Sequence, residues 1–192
     1  MEISQDHKKI AKFISGVMGI SPKVQAHWDE DEDNRIDIIT VDDSSDDRIK
    51  FYSTIGVSDT PLFINNSEQA FRLELIMSAY NSFQFVSNIL STCGFYITKN
   101  KRECKPGAVY EKIIEMYYPN LEMKHIFFVE PFLWENKIKT LNLETKDVTW
   151  LLCIPISDAE LNYKIENGSD FLEELFEEHQ INIFDLNRKS LR

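Results

Sequence analysis

Glycine, cysteine and histidine are scarce in this chain, and none is placed for recognisable chemistry. Only six glycines occur in 192 residues. None falls in G-x-G-x-x-G or a Walker loop, so no phosphate cradle is encoded and nucleotide chemistry is disfavoured. The three cysteines, Cys93, Cys104 and Cys153, are odd in number and widely spaced, unlike a disulfide framework. Reduced thiols and a cytoplasmic location are expected. Cys153 lies in an apolar run, where a thiol is ordinarily inert core. His7, His27, His125 and His179 are scattered, and none belongs to H-E-x-x-H. A zinc site gathered from His27, Cys93 and Cys104 has no support in the spacing, so no metal or cofactor is expected. His125, ahead of "IFFVEP", reads as a strand residue bonded to the backbone. No serine lies in G-x-S-x-G. Long apolar runs are also missing. Nothing approaches the roughly 20 residues of a membrane helix, and the amphipathic N-terminus lacks the apolar centre of a signal peptide.

Basic charge is the other shortage. Lysine and arginine number 21 against 32 acidic residues, a net charge of −11. A nucleic-acid binder presents a basic face to phosphates, and an anionic membrane repels an acidic protein, so neither is an expected partner. The imbalance suits a basic protein, although solubility alone explains an ordinary acidic excess. Here the acid is clustered. From Asp29 to Asp47 ten acidic residues face one basic residue, Arg35. The closing segment adds Asp158, Glu160, Glu166, Asp170, Glu173, Glu174, Glu177 and Glu178 against Lys164 alone. Such density costs stability through self-repulsion. Acid/base catalysis needs carboxylates in contrasting environments, whereas Asp runs in turns are ordinarily solvated. "DEDEDN" lacks the glycine of a calcium loop and is enclosed by strand segments.

The hydrophobic pattern predicts an α+β protein with a mixed, mainly antiparallel sheet and helices packed on it. A helix is expected over residues 3–18, with Ile10, Phe13, Ile14, Val17 and Met18 at helical spacing. A meander follows in Val24–Trp28, Ile36–Val41 and Ile49–Val57. Its acidic turns fall on alternate connections, hence at opposite ends of the strands. A fourth strand ends near Ala79. The next helix carries Phe83, Val86, Leu90 and Cys93 on one stripe. A loop turns at Pro106–Gly107, "MKHIFFVEPF" is a buried strand, and a hairpin leads into Trp150–Ile156, a central strand buried on both faces. Pro155, lacking an N–H, is expected to break the ladder. Ser157 and Glu160 form S-x-x-E, a capping box. Two helices follow, about 157–166 and 170–178, with Leu161 and Ile165 facing inward and Gly168 as left-handed terminator.

The last 70 residues carry a more specific pattern. An apolar strand ends in Pro131 and is followed by Trp134. "WLLCIPIS" contains Pro155, Glu160 lies on the next helix, and Gly168 precedes a leucine-rich helix. The tail holds D-x-x-R-x-S in Asp185, Arg188 and Ser190. This combination resembles the suppressor-of-fused (SUFU) domain family, in its bacterial immunity or antitoxin branch. The resemblance implies a single SUFU-like domain over residues 1–192, and protein binding rather than catalysis. It implies neutralisation of a cognate polymorphic toxin of the LXG type, a nuclease, by occlusion of its basic surface. The alternative is a SUFU-like adaptor or scaffold for a non-toxin protein. The expected partner-binding residues are Trp28 with Asp29, Glu30, Asp31, Glu32 and Asp33 of the first acidic turn, and Asp42, Asp43, Asp46 and Asp47 of the second. Tyr52 and Trp134 are further candidate anchors. Asp185 and Arg188 are expected to pair and pin the tail.

Overall fold

Ser4 opens the first helix. Its hydroxyl accepts the His7 amide at 3.1 Å, satisfying one orphan donor of the first turn. Helix α1 (Gln5–Met18) buries Ile10, Ile14 and Met18 on one stripe. Each fully buried isoleucine contributes about 1.5–3 kcal/mol. The computed structural model describes residues 4–134 and 137–192, so the expected start at residue 3 lies outside it.

The meander forms as β1 (Ile20–Trp28), β2 (Arg35–Asp42) and β3 (Ile49–Ile55). Both pairings are antiparallel. The third strand stops two residues before Val57. Gly56 turns the chain at φ +111°, and Val57–Asp59 is a 3-10 turn. A small ribbon, β4 (Phe63–Ile64) with β5 (Ser67–Glu68), leads to β6 (Phe71–Tyr80). Helix α2 (Val86–Thr98) carries Val86, Leu90 and Cys93 inward, and Phe83 lies ahead of its first residue. Strands β7 (Val109–Tyr110), β8 (Met123–Val129), β9 (Leu141–Asn142) and β10 (Asp147–Ser157) follow, then α3 (Asp158–Asn167) and α4 (Ser169–Glu178).

The main sheet runs β1-β2-β3-β6-β10-β8-β7, with β9 paired to β10. Among the described residues its one parallel pairing is β6 with β10. The fold is α+β, mixed and mainly antiparallel. Helix α2 packs on one face over a cluster including Ile36, Leu75, Ile126 and Phe128. Helices α1 and α4 pack on the other, over Ile39, Ile76, Phe127 and Trp150. Strand β10 is covered on both faces, and hence reads as a continuous apolar run.

Pro155 does not break the ladder to β8, because it remains opposite Ile126. Pairing with β6 has already ended, at Cys153 opposite Met77. The Pro155 carbonyl, turned to that vacated side, accepts Arg188 Nη2 at 3.0 Å. The missing N–H therefore points where no strand requires it. The capping box forms as expected: the Glu160 amide donates to Ser157 Oγ, and the Ser157 amide to Glu160 Oε2, each at 3.1 Å. Gly168, at φ +105°, ends α3 and begins α4. Leu161 packs on the core, but Ile165 is 69% exposed. Helix α3 touches the sheet mainly through its first turns, near β8 and the end of β10, and leaves its last turn in solvent.

Candidate protein-binding surface

The first acidic turn is organised by its own first carboxylate. Asp29 is only 9% exposed. Its Oδ1 accepts the amides of Asp33 and Asn34 at 3.0 and 3.1 Å, and its Oδ2 accepts Asn34 Nδ2 at 2.7 Å. Lys99, capping the C-terminal end of α2, reaches Asp29 at 3.1 Å and Asp31 at 2.5 Å. The Asn34 side-chain bond, then its backbone bond, and then Lys99 hold the Asp29 carboxyl well below the usual range. Asp29 is thus a turn former rather than an outward contact. Glu30, Glu32 and Asp33 are exposed and carry no ion pair among the described residues. Asp31 is exposed too, half offset by Lys99.

The second turn is more fully neutralised. Asp42 meets Lys50 at 2.5 Å. Asp43 Oδ1 accepts the amide and hydroxyl of Ser45, both at 2.7 Å. Asp46 receives Arg48 Nε at 2.9 Å and Nη2 at 2.6 Å, and the Arg48 side chain draws its pKa down to about 2. Asp47 alone is exposed there without an ion pair among the described residues. The turns sit at opposite ends of β2, whose eight residues at about 3.3 Å each separate them by roughly 25 Å. They do not form one patch.

Of the three candidate anchors, only Trp28 faces solvent, 47% exposed at the end of β1. Arg35 lies over its ring at 5.8 Å and forks onto Asp37 at 2.7 and 2.9 Å. Tyr52 and Trp134 are core, 7% and 6% exposed. Burial pushes the Tyr52 hydroxyl up to about 12, and Trp134 packs edge-on against Phe51 at 5.3 Å. The closing acids border a separate groove of about 650 Å³ between α4 and the sheet, with Phe132, Ile154, Phe176 and Ile181 in its wall and Glu173 and Glu177 beside them.

Asp185 does not pair with Arg188. Its Oδ1 caps the Asn187 amide at 2.8 Å, and Arg188 instead forks onto Glu160 at 2.6 and 2.8 Å. Sequence reasoning recognised both residues but missed this bond. The available signal was a carboxylate at an inward position of α3 and an arginine in a tail that alternates apolar and polar residues.

His125 and Glu74 of the interior are also tied into structure. His125 Nδ1 accepts the Lys112 amide at 2.9 Å, and its Nε2 lies 2.9 Å from Asp158. Glu74, wholly buried, accepts Thr54 Oγ1 at 2.5 Å and the amides of Gly56 and Ser58 at 2.9 and 3.1 Å. Burial raises its pKa. Neither Glu74 nor Glu160 lines the described grooves. Among the described residues no three His, Cys, Asp or Glu side chains gather as metal ligands, and no helix is long and apolar enough to cross a membrane.

Residues 32–189 match the family described as Suppressor of fused protein (SUFU). Over 191 residues the chain is 39% identical to the immunity protein YqcF of Bacillus subtilis (strain 168), covering all of both chains. A putative SUFU homologue from Neisseria gonorrhoeae superposes with a TM-score of 0.71 at 14% identity, over 98% of this chain and 96% of that one. A chain of the Sufu-Fu complex gives 0.66 at 12%, over 96% and 91%. With that family match over most of its length and a full-length relative at 39% identity, the chain belongs to the suppressor-of-fused family.

Proposed function

We propose that residues 1–192 form a single-domain immunity protein that acts in the cytoplasm. It binds a cognate LXG-type polymorphic toxin, a nuclease, and covers the basic surface on which that toxin holds nucleic acid. It is not an enzyme and requires no cofactor. One observation carries the reading: Glu30, Glu32 and Asp33 stand uncompensated beside exposed Trp28, in a chain alike from end to end to an immunity protein. Charge speeds encounter with a basic partner, and Trp28 supplies an aromatic anchor. Asp31 and Asp47 add to the field. Asp29, Asp42, Asp43 and Asp46 act by holding the two turns that present it.

The second reading is an adaptor with an endogenous protein partner, favoured by likeness to a chain whose structure is that of the Sufu-Fu complex. The two separate in one experiment. The chain is tested for protection of cells expressing an LXG-type nuclease toxin domain from the same genome. Survival supports immunity. Cell death despite ample expression of the chain, together with capture of an unrelated regulator, favours the adaptor.

A further inference from the structure

Strand β1 ends the sheet, and its outer edge has no partner among the described residues. Folded proteins blunt such edges, because unpaired backbone groups template another strand. Here the blunting is confined to the N-terminal end. Pro22 lacks an N–H, Ser21 stands at φ +54°, and the register shifts between Ile20 and Lys23. From Lys23 to Trp28 the pairing with β2 is regular.

Along that stretch Val24, Ala26 and Trp28 share one face, opposite Ile39, Asp37 and Arg35. Ile39 lies beneath α1 and is 2% exposed, yet Val24 beside it is 54% exposed. The helical cover therefore ends between β2 and β1, leaving an apolar stripe along an open edge.

Acidic turns bracket the stripe, the first exposing free charge and the second largely paired with Lys50 and Arg48. Trp28 runs directly into the first turn, and Ile20 lies opposite Asp42 at the start of the second. Two copies paired antiparallel along β1 would set one copy's first turn beside the other's second. Paired parallel, they would set like turns together. The parallel arrangement places free acid against free acid, which disfavours it, and antiparallel self-pairing is an outcome of the test.

We propose that Lys23–Trp28 is a docking strand. The occupant is an extended segment of a basic protein, with apolar side chains at alternate positions over Val24, Ala26 and Trp28, and lysine or arginine at its two ends. Main-chain bonds supply affinity and the stripe fixes the register. This rests on the reading above that the partner is a basic toxin.

The test uses a catalytically inactivated, basic LXG-type toxin domain from the same genome as the probe. Hydrogen exchange is followed through β1 with and without it, and affinities are measured for Val24→Lys and for Gln25→Lys, a control on the opposite face. Slowed exchange at Lys23–Trp28, with Val24→Lys at least about 30-fold weaker and Gln25→Lys within about threefold, is expected. Tight binding with unchanged β1 exchange and a Val24→Lys affinity equal to the parent would overturn the docking strand and leave the immunity reading standing. No binding by the parent would remove both. A dimer of the parent alone, split by Val24→Lys, would mean that the edge is self-paired and would contradict the proposal.

Discussion

Arg188 in the C-terminal tail forks onto Glu160 in the first turn of α3, with nitrogen–oxygen distances of 2.6 and 2.8 Å. Glu160 is wholly buried and Arg188 nearly so. The same carboxylate accepts the Ser157 amide and the Leu191 amide, both at 3.1 Å, and the same guanidinium binds the Pro155 carbonyl and lies over the Phe176 ring at 5.4 Å. One ion pair thus joins the end of β10, the start of α3, a side chain of α4 and the tail. It explains why an apolar strand can turn into a helix with no loop between them.

Removing one partner of this pair leaves a buried charge uncompensated. Arg188→Met should therefore lower unfolding stability by about 3–5 kcal/mol. Arg188→Lys should recover only part of that loss, because an ammonium cannot fork onto both oxygens and Pro155. Urea unfolding of both variants checks this. A loss below about 1 kcal/mol for Arg188→Met would mean that the corner is held by packing.

Two histidines should act in opposite directions as pH falls. His27 has a buried Nε2 without a hydrogen-bond partner among the described residues, and desolvation lowers its pKa. The folded protein keeps it neutral while the unfolded chain takes a proton near pH 6.5, so stability should decline as pH drops below about 6.5. His7 sits 2.7 Å from Asp59, which raises its pKa. Its contribution is fully present below about 6.5 and lost as pH rises through the folded value. Unfolding midpoints between about pH 5 and pH 8, a span around the free histidine value, should show a shallower acid decline in His27→Phe. His7→Gln should lose more at the acid end than at the basic end. Parallel profiles for both variants and the parent would contradict the assignment.

The first acidic turn should divide into a structural residue and contact residues. Asp29→Ala removes the acceptor of three turn bonds and should lower the melting temperature. Changing Glu30, Glu32 and Asp33 together to lysine should leave melting nearly unchanged. It should slow association with the toxin about tenfold or more and flatten its salt dependence. Stopped-flow association at low and physiological salt, beside thermal melts, separates the two. Equal association rates for the triple variant and the parent at low salt would exclude this turn from the interface.

Cys93, Cys104 and Cys153 are buried and free, and burial pushes all three thiols up. A thiol reagent at mildly alkaline pH should label none in the folded protein and all three in urea. Rapid labelling of any one without denaturant would show an opening motion that reaches the core.

Where signals are local, the sequence alone locates the structure. The α1 stripe, the three-strand meander, the capping box at Ser157 and the turn at Gly168 each depend on residues within a few positions of one another. What escaped depends on distance. Arg188 has an acidic residue three positions back in Asp185, yet its partner lies 28 positions away. Whether Pro155 breaks a ladder depends on which neighbouring strand still runs beside it. Asp29 reads as one more acid in a run, and only the closure of the turn onto Lys99 from α2 turns it inward. Tyr52 and Trp134 carry the residue types of binding anchors, but strand register and the Phe51 contact place them in the core. The acidic turns and Trp28 of the proposed contact surface are legible in the sequence; the open edge joining them became visible only with the strand order.

The immunity role is tested most directly by mixing the purified chain with an active LXG-type toxin domain from the same genome. Nuclease activity and complex formation are then measured as salt is raised. A one-to-one complex, loss of nuclease activity on mixing, and association that slows with salt are expected. A toxin that stays fully active beside the chain at low salt, with no complex formed, would contradict it.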